Sequence, residues 1–319
     1  MKNPLCEELL LYQPTSTKDE NLRLWYIGYS VFDAFLTITA IVFNSVTIQA
    51  LRKTSSLPQP LKTLLVSLAV SDLVVGLLVQ PFYIGLLIKW LQRDNSTDAT
   101  CTTFFVIINF LSAVSFFGVV ALSGDRFLAV HLHLRYQELV TRKRVVVVVI
   151  SIWVCTAFFS LISLWVSSNI FFYLIFISGV IFLVCSGLLY YKIYVSVRRH
   201  RNQIQALQVQ QEAQNDQITN TARLRKSAVG AFYVYLVFLL CYLPQFCAFV
   251  VVTISDLSTA AKVFFISSTT FLFLNSSLNP VIYCWKMRHI RRAVLGVLRN
   301  MFQNLRKASV HTSRETAVG

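Results

Sequence analysis

The chain has 319 residues, a formal net charge of +15, 55% hydrophobic residues and only 13% charged ones. That composition excludes a water-soluble globular fold and lacks the low hydrophobicity of a disordered chain. Seven stretches of roughly 20 predominantly apolar residues, the length that crosses a bilayer as a helix, predict a multi-pass membrane protein, so the positive charge reads as topology and attraction to acidic lipids rather than nucleic-acid binding.

In chain order, residues 1–24 contain no apolar run long enough for a cleaved signal sequence beyond the Leu9 to Tyr12 patch, and are expected to form an exterior amino-terminal segment. The spans are predicted at 25–51, 63–88, 100–124, 145–166, 169–191, 228–254 and 263–285, giving an all-α, seven-transmembrane helix bundle over 25–285. Asp33 and Asp72 are the only ionisable acids inside them. Such groups are costly in hydrocarbon and mark function by default. Bases cluster in alternate loops: Arg52, Lys53 and Lys62; then Arg135, Arg142, Lys143 and Arg144; then Arg198, Arg199, Arg201, Arg223, Arg225 and Lys226; and finally the tail. The positive-inside rule makes those loops cytoplasmic and the amino terminus extracellular. The glycosylation sequon Asn95-Ser96-Thr97 falls in a loop assigned to the exterior, whereas Asn275-Ser276-Ser277 lies inside a span and reads as chance.

Connections are short. No charge occurs between Arg144 and Lys192, so the fourth and fifth spans leave little more than Val166 to Asn169 between them, with no room for a lid. The largest cytoplasmic loop, about 200–223, is Gln-rich with Ala, Leu and Val spaced for helix to continue beyond the membrane. Residues 286–307 interleave Arg288, Arg291, Arg292 and Arg299 with Ile290, Val294, Leu295, Leu298, Met301 and Phe302, the pattern of an amphipathic tail helix lying on the inner membrane face. Residues 308–319, with Ser309, Thr312, Ser313 and Thr316, are expected to be a disordered, phosphorylatable cytoplasmic tail.

A series of short motifs falls on these spans in order. Asn44 lies in the first, Leu68-Ala69-Val70-Ser71-Asp72 in the second, Cys101 opens the third and Asp125-Arg126-Phe127 closes it. Trp153 follows in the fourth, Tyr190 in the fifth, Cys241-Tyr242-Leu243-Pro244 in the sixth and Asn279-Pro280-Val281-Ile282-Tyr283 in the seventh. Each motif alone is weak; the ordered set resembles rhodopsin-class G protein-coupled receptors across the whole membrane region.

That resemblance implies a plasma-membrane receptor that is not an enzyme, with an extracellular ligand, a heterotrimeric G protein, arrestin and receptor kinases as partners. Its activation switch would comprise Asp125, Arg126, Tyr190, Phe238, Tyr242, Pro244, Asn279, Pro280 and Tyr283. Arg126 would hold Asp125 at rest and turn to Tyr190, Tyr283 and the G protein when active. Leu134 resembles the apolar G-protein contact and Tyr136 the phenol that braces Asp125. The family's second lock on the arginine is an acid at the start of the sixth span, but Arg223-Leu224-Arg225-Lys226 contains none, which predicts appreciable basal activity. Asp72, Ser115, Asn275 and Asn279, with Asn44 behind, match positions that surround a sodium ion; a protonated Asp72 is the alternative. No other cofactor is expected. Tyr242 stands where the family usually has tryptophan, and Phe182 where its fifth span usually has proline. Pro81, Pro244 and Pro280 are expected to kink their helices. His131 and His133 have no accompanying ligands and read as loop residues rather than a metal site.

The residues that define several ligand classes in the family are absent. Ile108 stands where amine receptors carry an aspartate, Phe273 where opsins carry the retinal lysine, and Phe249 and Phe273 where adenosine receptors carry an asparagine and a histidine. By position the pocket is lined by Phe105, Ile108, Asn109, Ser112, Gln245, Phe246, Phe249, Leu272 and Phe273, which favours a lipid or small neutral ligand over a peptide. The short second outer loop and the missing proline resemble the melanocortin, cannabinoid, lysophospholipid and adenosine branch. A signalling-silent orphan and a transporter are the rival readings. Cys6 and Cys101 are the cysteines expected to face the exterior, either bridged or as free thiols.

Overall fold

The computed structural model describes residues 20–55, 57–92, 98–132, 135–166, 168–208, 215–254 and 258–315. Cys6, Asn95, His133, Leu134 and Thr316 fall outside the described residues. The elements are α1 (Glu20–Lys53), α2 (Gln59–Val74), a π-helical turn (Val75–Val79), α3 (Gln80–Gln92), α4 (Asp98–Leu132), α5 (Tyr136–Leu139), α6 (Arg142–Ile162), α7 (Ser168–Gln208), α8 (Asn215–Ile254), α9 (Thr259–Lys286) and α10 (Arg288–Glu315). The turn joins α2 and α3 into one rod, so the seven predicted spans correspond to α1, α2 with α3, α4, α6, α7, α8 and α9.

Burial is inverted relative to a water-soluble protein. Val31, Phe35 and Ile38 of α1 and Val147, Val154 and Phe158 of α6 are exposed on the outside, while Asp33, Asn44, Asp72, Gln80, Asn275 and Asn279 are buried. In a hydrocarbon solvent apolar side chains lose nothing by facing out, and polar ones must pair inside. Every span rod except α9 contains a segment long and apolar enough to cross a membrane. The lower hydropathy of α9 follows from Ser268, Thr269, Thr270, Asn275, Ser276, Ser277 and Asn279, all of them buried.

Two backbone irregularities have identifiable causes. Pro81 has no N–H, and the turn just ahead of it widens so that the Gln80 N–H reaches the Val75 carbonyl. Within that turn Gly76 lies so close to α1 that an added Cβ would sit 3.1 Å from both Ala40 Cβ and Ile41 Cγ1. In α9 Pro280 deprives the Ser276 carbonyl of its helical donor, and the Asn44 amide supplies a substitute at 2.9 Å. Asn44 thereby pins α1 to the kink. Across the bundle, the Trp153 indole donates 3.1 Å to Ser67 Oγ, tying α6 to α2.

The Gln-rich segment is helical on both sides of 209–214, because α7 continues to Gln208 and α8 starts at Asn215. The fourth-to-fifth span connection is as short as expected, running from Ile162 to Ser168. The tail helix α10 runs from Arg288 to Glu315, past the expected end at 307. Val297 packs between Val46 and Ala50 of α1, while Arg291, Arg292, Leu295, Met301 and Phe302 remain exposed. One apolar stripe therefore docks on the bundle, and a second set of apolar side chains stays outside it.

Replacing Gly76 with leucine should force α1 and the π turn apart. The expected cost is about 1–3 kcal/mol, read as a lower melting temperature of the detergent-solubilised protein, with Gly85→Leu as the control because no atom lies within 4 Å of a Cβ built there.

Candidate functional site

At the end of the bundle where α4 closes, Asp125 and Arg126 are both buried and form an ion pair. Arg126 Nε donates to Asp125 Oδ2 at 2.9 Å, and the Tyr136 hydroxyl donates to the other carboxylate oxygen at 2.6 Å. Tyr136 heads α5, which lies against α4, so the loop after α4 supplies the brace. Burial, and then the Asp125 charge, push the Tyr136 phenol well above its ordinary range, so at neutral pH it remains a donor. The pair therefore has the Coulombic partner and the additional donor that make a buried carboxylate tolerable.

The two phenols assigned to the other side of the switch sit in one buried cluster. Tyr190 accepts from Ser123 at 2.8 Å and stacks on Tyr235 with ring centroids 4.6 Å apart. Tyr283 is buried in the same cluster, and its hydroxyl has no hydrogen-bond partner among the described residues. The side chains of Arg223, Arg225 and Lys226 lie outside the described residues.

Further along the bundle axis, Tyr242 stacks on Phe238 at 4.0 Å, and Phe116 contacts both rings at 6.1 and 5.2 Å. Phe182 meets Phe116 and Phe117 edge-on at 5.6 and 4.7 Å. The aromatic side chain standing at the family's proline position thus fills the space between α4 and α7. The Tyr242 hydroxyl donates to the Ser112 carbonyl at 3.2 Å, a tie from α8 to α4.

Below these rings is the Asp72 region. Asn279 donates to Asp72 Oδ2 at 2.9 Å, and Ser71 and Ser115 are joined hydroxyl to hydroxyl at 3.2 Å. Asp72 Oδ1 and the side-chain carbonyl oxygens of Asn44, Asn275 and Asn279 are buried with no partner among the described residues. A carboxylate oxygen and amide oxygens are hard donors of the kind that fit a cation.

A cavity of about 980 Å³ opens from the aromatic rings toward the far end of the bundle. Phe105, Ile108, Asn109, Ser112, Gln245, Phe246, Phe249 and Leu272 all lie on its wall. Phe273 does not, which corrects its assignment to the pocket. It sits three residues beyond Thr270, whose hydroxyl binds Asp33 of α1, and so shares that face and meets the Tyr83 ring edge-on at 5.3 Å. Residues not anticipated include Phe116, Phe117, Thr156, Phe159, Tyr83 and Thr269. Phe116 follows Phe105, Ile108, Asn109 and Ser112 at helical spacing, so the α4 face itself carried that signal.

Local bonds orient the polar wall residues. Gln245 Oε1 accepts from Ser268 at 2.8 Å and from Thr269 at 3.5 Å, and the Asn109 amide donates to the Phe105 carbonyl at 2.7 Å. Gly179 makes room for Phe246, because a Cβ there would fall 2.2 Å from the ring. The described lining contains no Asp, Glu, Lys, Arg or His. Its floor includes Tyr242, the ring that stacks on Phe238.

A family model described as 7 transmembrane receptor (rhodopsin family) matches residues 43–172 and 164–283, a region that holds Asp72, the Asp125 and Arg126 pair, the α8 rings and the Asn279 to Tyr283 motif. Among curated proteins the chain is similar to the octopamine receptor beta-1R of Drosophila melanogaster, at 24% identity over 84% of this chain and 61% of that receptor. The chain thus spans less than two thirds of that relative's length.

Tyr136→Phe should leave one oxygen of the buried Asp125 carboxylate without its donor, at a cost of about 1.5–3 kcal/mol for a hydrogen bond to a charged group. The check is thermal unfolding of the purified protein, with Tyr173→Phe, an exposed phenol, leaving the midpoint unchanged.

Proposed function

This chain belongs to the rhodopsin family of seven-transmembrane receptors, membrane proteins that are receptors rather than enzymes, and we propose that it carries the signal of an extracellular lipid or small neutral ligand to a heterotrimeric G protein. The observation that carries this reading is the charge-free, mostly apolar cavity whose floor includes Tyr242, the ring that stacks on Phe238. A ligand on Tyr242 would press on the ring that is bonded to α4 through Ser112. Displacing that ring would let α8 swing about Pro244, releasing Arg126 from Asp125 toward Tyr190 and Tyr283. Leu134 would then meet the G protein, and the tail would serve receptor kinases and arrestin. Asp72, Ser115, Asn275 and Asn279 would hold a sodium ion, which supplies the positive charge that the Asp72 carboxylate lacks among its described neighbours.

Lipid is favoured within that class by the cavity's side wall. Val147, Val148 and Tyr173 line it, yet they are exposed on the outside of the bundle, and α6 and α7 scarcely touch among the described residues. The cavity is therefore continuous with the surface that hydrocarbon would cover. The octopamine receptor is named for an amine, but here Ile108 stands on the α4 wall and no described lining carboxylate can neutralise an ammonium group.

The amino terminus is read as extracellular, from the positive-inside rule. An epitope tag placed before Met1 should therefore stain intact cells; staining only after permeabilisation would reverse the orientation.

A panel of lipids, neutral small molecules, amines including octopamine, and peptides, scored by second-messenger output, tests the ligand class. Lipid or neutral agonists are expected; a response confined to amines or peptides would overturn it. Arg126→Ala should lower the agonist response at least tenfold without loss of surface expression, whereas an undiminished response would refute the switch.

A further inference from the structure

Outside the Asp72 region, a second group of buried polar atoms without partners lies between α1, α3 and α9. Asp33 is fully buried; its Oδ2 accepts from Thr270 at 3.1 Å and its Oδ1 accepts from no described residue. Gln80 is also fully buried, with neither its amide oxygen nor its amide nitrogen paired among the described residues, and the Tyr83 hydroxyl is buried beside the Thr269 side chain.

These side chains lie on facing stretches of α1 and α3. Tyr83 lies within electrostatic reach of Asp33, together with Tyr26 and Tyr29. Gln80 precedes Tyr83 by three residues, and Gly76, a turn earlier again, touches Ala40 and Ile41 of α1. Gln80 and Tyr83, three residues apart in α3, share one helix face, and Gln80 lies between Gly76 and Tyr83 along the rod, at the level of α1 between Ala40 and Asp33. The neighbouring rungs of the α1–α9 seam are closed, Tyr29 with Ser267 at 2.5 Å and Thr39 with Ser277 at 3.0 Å. At the Asp33 rung a carboxylate meets a single neutral donor.

We propose that Asp33, Gln80 and Tyr83 bind a partly hydrated monovalent cation between α1, α3 and α9. Three hard oxygens, Asp33 Oδ1, Gln80 Oε1 and the Tyr83 hydroxyl, supply ligands from two helices, with Thr270 of the third holding the carboxylate in place. One carboxylate balances one positive charge, whereas calcium and magnesium sites gather more oxygen ligands and more negative charge. The Gln80 amide N–H groups are left for a water, and a buried water needs two to four polar partners, which this set provides. The site is distinct from that around Asp72: Asp33 and Asn44 stand about 16 Å apart along α1 at 1.5 Å per residue. Tyr83 and Thr269 are also on the cavity wall, so the cation would enter through the cavity, and a ligand touching Tyr83 would sense its presence.

The test is equilibrium binding of radioactive sodium to the purified full-length receptor in lipid nanodiscs, with N-methyl-D-glucamine chloride holding ionic strength constant. Asp72→Asn, which disables the other acceptor set, should keep saturable sodium binding. Adding Asp33→Asn should abolish it, and adding Gln80→Leu instead should weaken it at least several-fold. No binding to Asp72→Asn, or equal binding to Asp72→Asn and the Asp33→Asn, Asp72→Asn double variant, overturns the proposal. Should Asp72→Asn not yield folded protein, wild type is compared with Asp33→Asn alone: reduced saturating uptake supports the site, and unchanged uptake overturns it.

Discussion

A polar group surrounded by hydrocarbon has no water to fall back on, so in this bundle each must find its partner on another helix. The contact between Asn44 and the Ser276 carbonyl shows the constraint at work. Pro280 removes a backbone donor in mid-helix, and an amide from α1 takes its place, so the kink and the first helix are held together. The same constraint makes α9 the centre of the bundle. Its hydroxyls and amides meet Tyr29, Asp33 and Thr39 on α1, Asp72 on α2 and Gln245 on α8. That is why the least hydrophobic rod can lie in the membrane region, with its polar groups turned inward.

From that seam one continuous path leads to the opposite side of the bundle. Gln245, held by Ser268 and Thr269, lies on the cavity wall three residues after Tyr242; Tyr242 stacks on Phe238; and Phe238 shares a buried cluster with Tyr190 and Tyr283. At the end of this cluster, Arg126 is paired with Asp125 and braced by Tyr136. Packed aromatic rings transmit small displacements because an interior at close packing cannot absorb them locally. A tyrosine at position 242 adds a hydroxyl tie to α4 through the Ser112 carbonyl, so movement of α8 would break a hydrogen bond as well as a ring contact.

The two carboxylates inside the bundle differ in their surroundings. Around Asp72 the unpaired atoms among the described residues are its own Oδ1, amide oxygens on α1 and α9, and the Tyr283 hydroxyl. Around Asp33 they comprise acceptors, the Gln80 amide donor and a phenol. A mixed set of acceptors and donors suits an ion together with water. The π turn contributes to the second arrangement, because the extra residue it inserts ahead of Pro81 changes the direction in which α3 presents Gln80 and Tyr83.

The amino-acid sequence alone determined the number and placement of the spans, since hydropathy over a window of about 20 residues depends only on local composition. It also determined the Asp125 and Arg126 pair, adjacent in the chain, and most of the α4 cavity face, where helical spacing aligns Phe105, Ile108, Asn109 and Ser112. Tertiary structure decided what depends on the rotation of one rod against its neighbours. It turned Phe273 toward Tyr83 and away from the cavity, placed a π turn ahead of Pro81, set Gly76 against Ala40 and Ile41 of α1 and opened the wall between α6 and α7. Helical periodicity says which residues share a face, but only packing between helices says what that face meets.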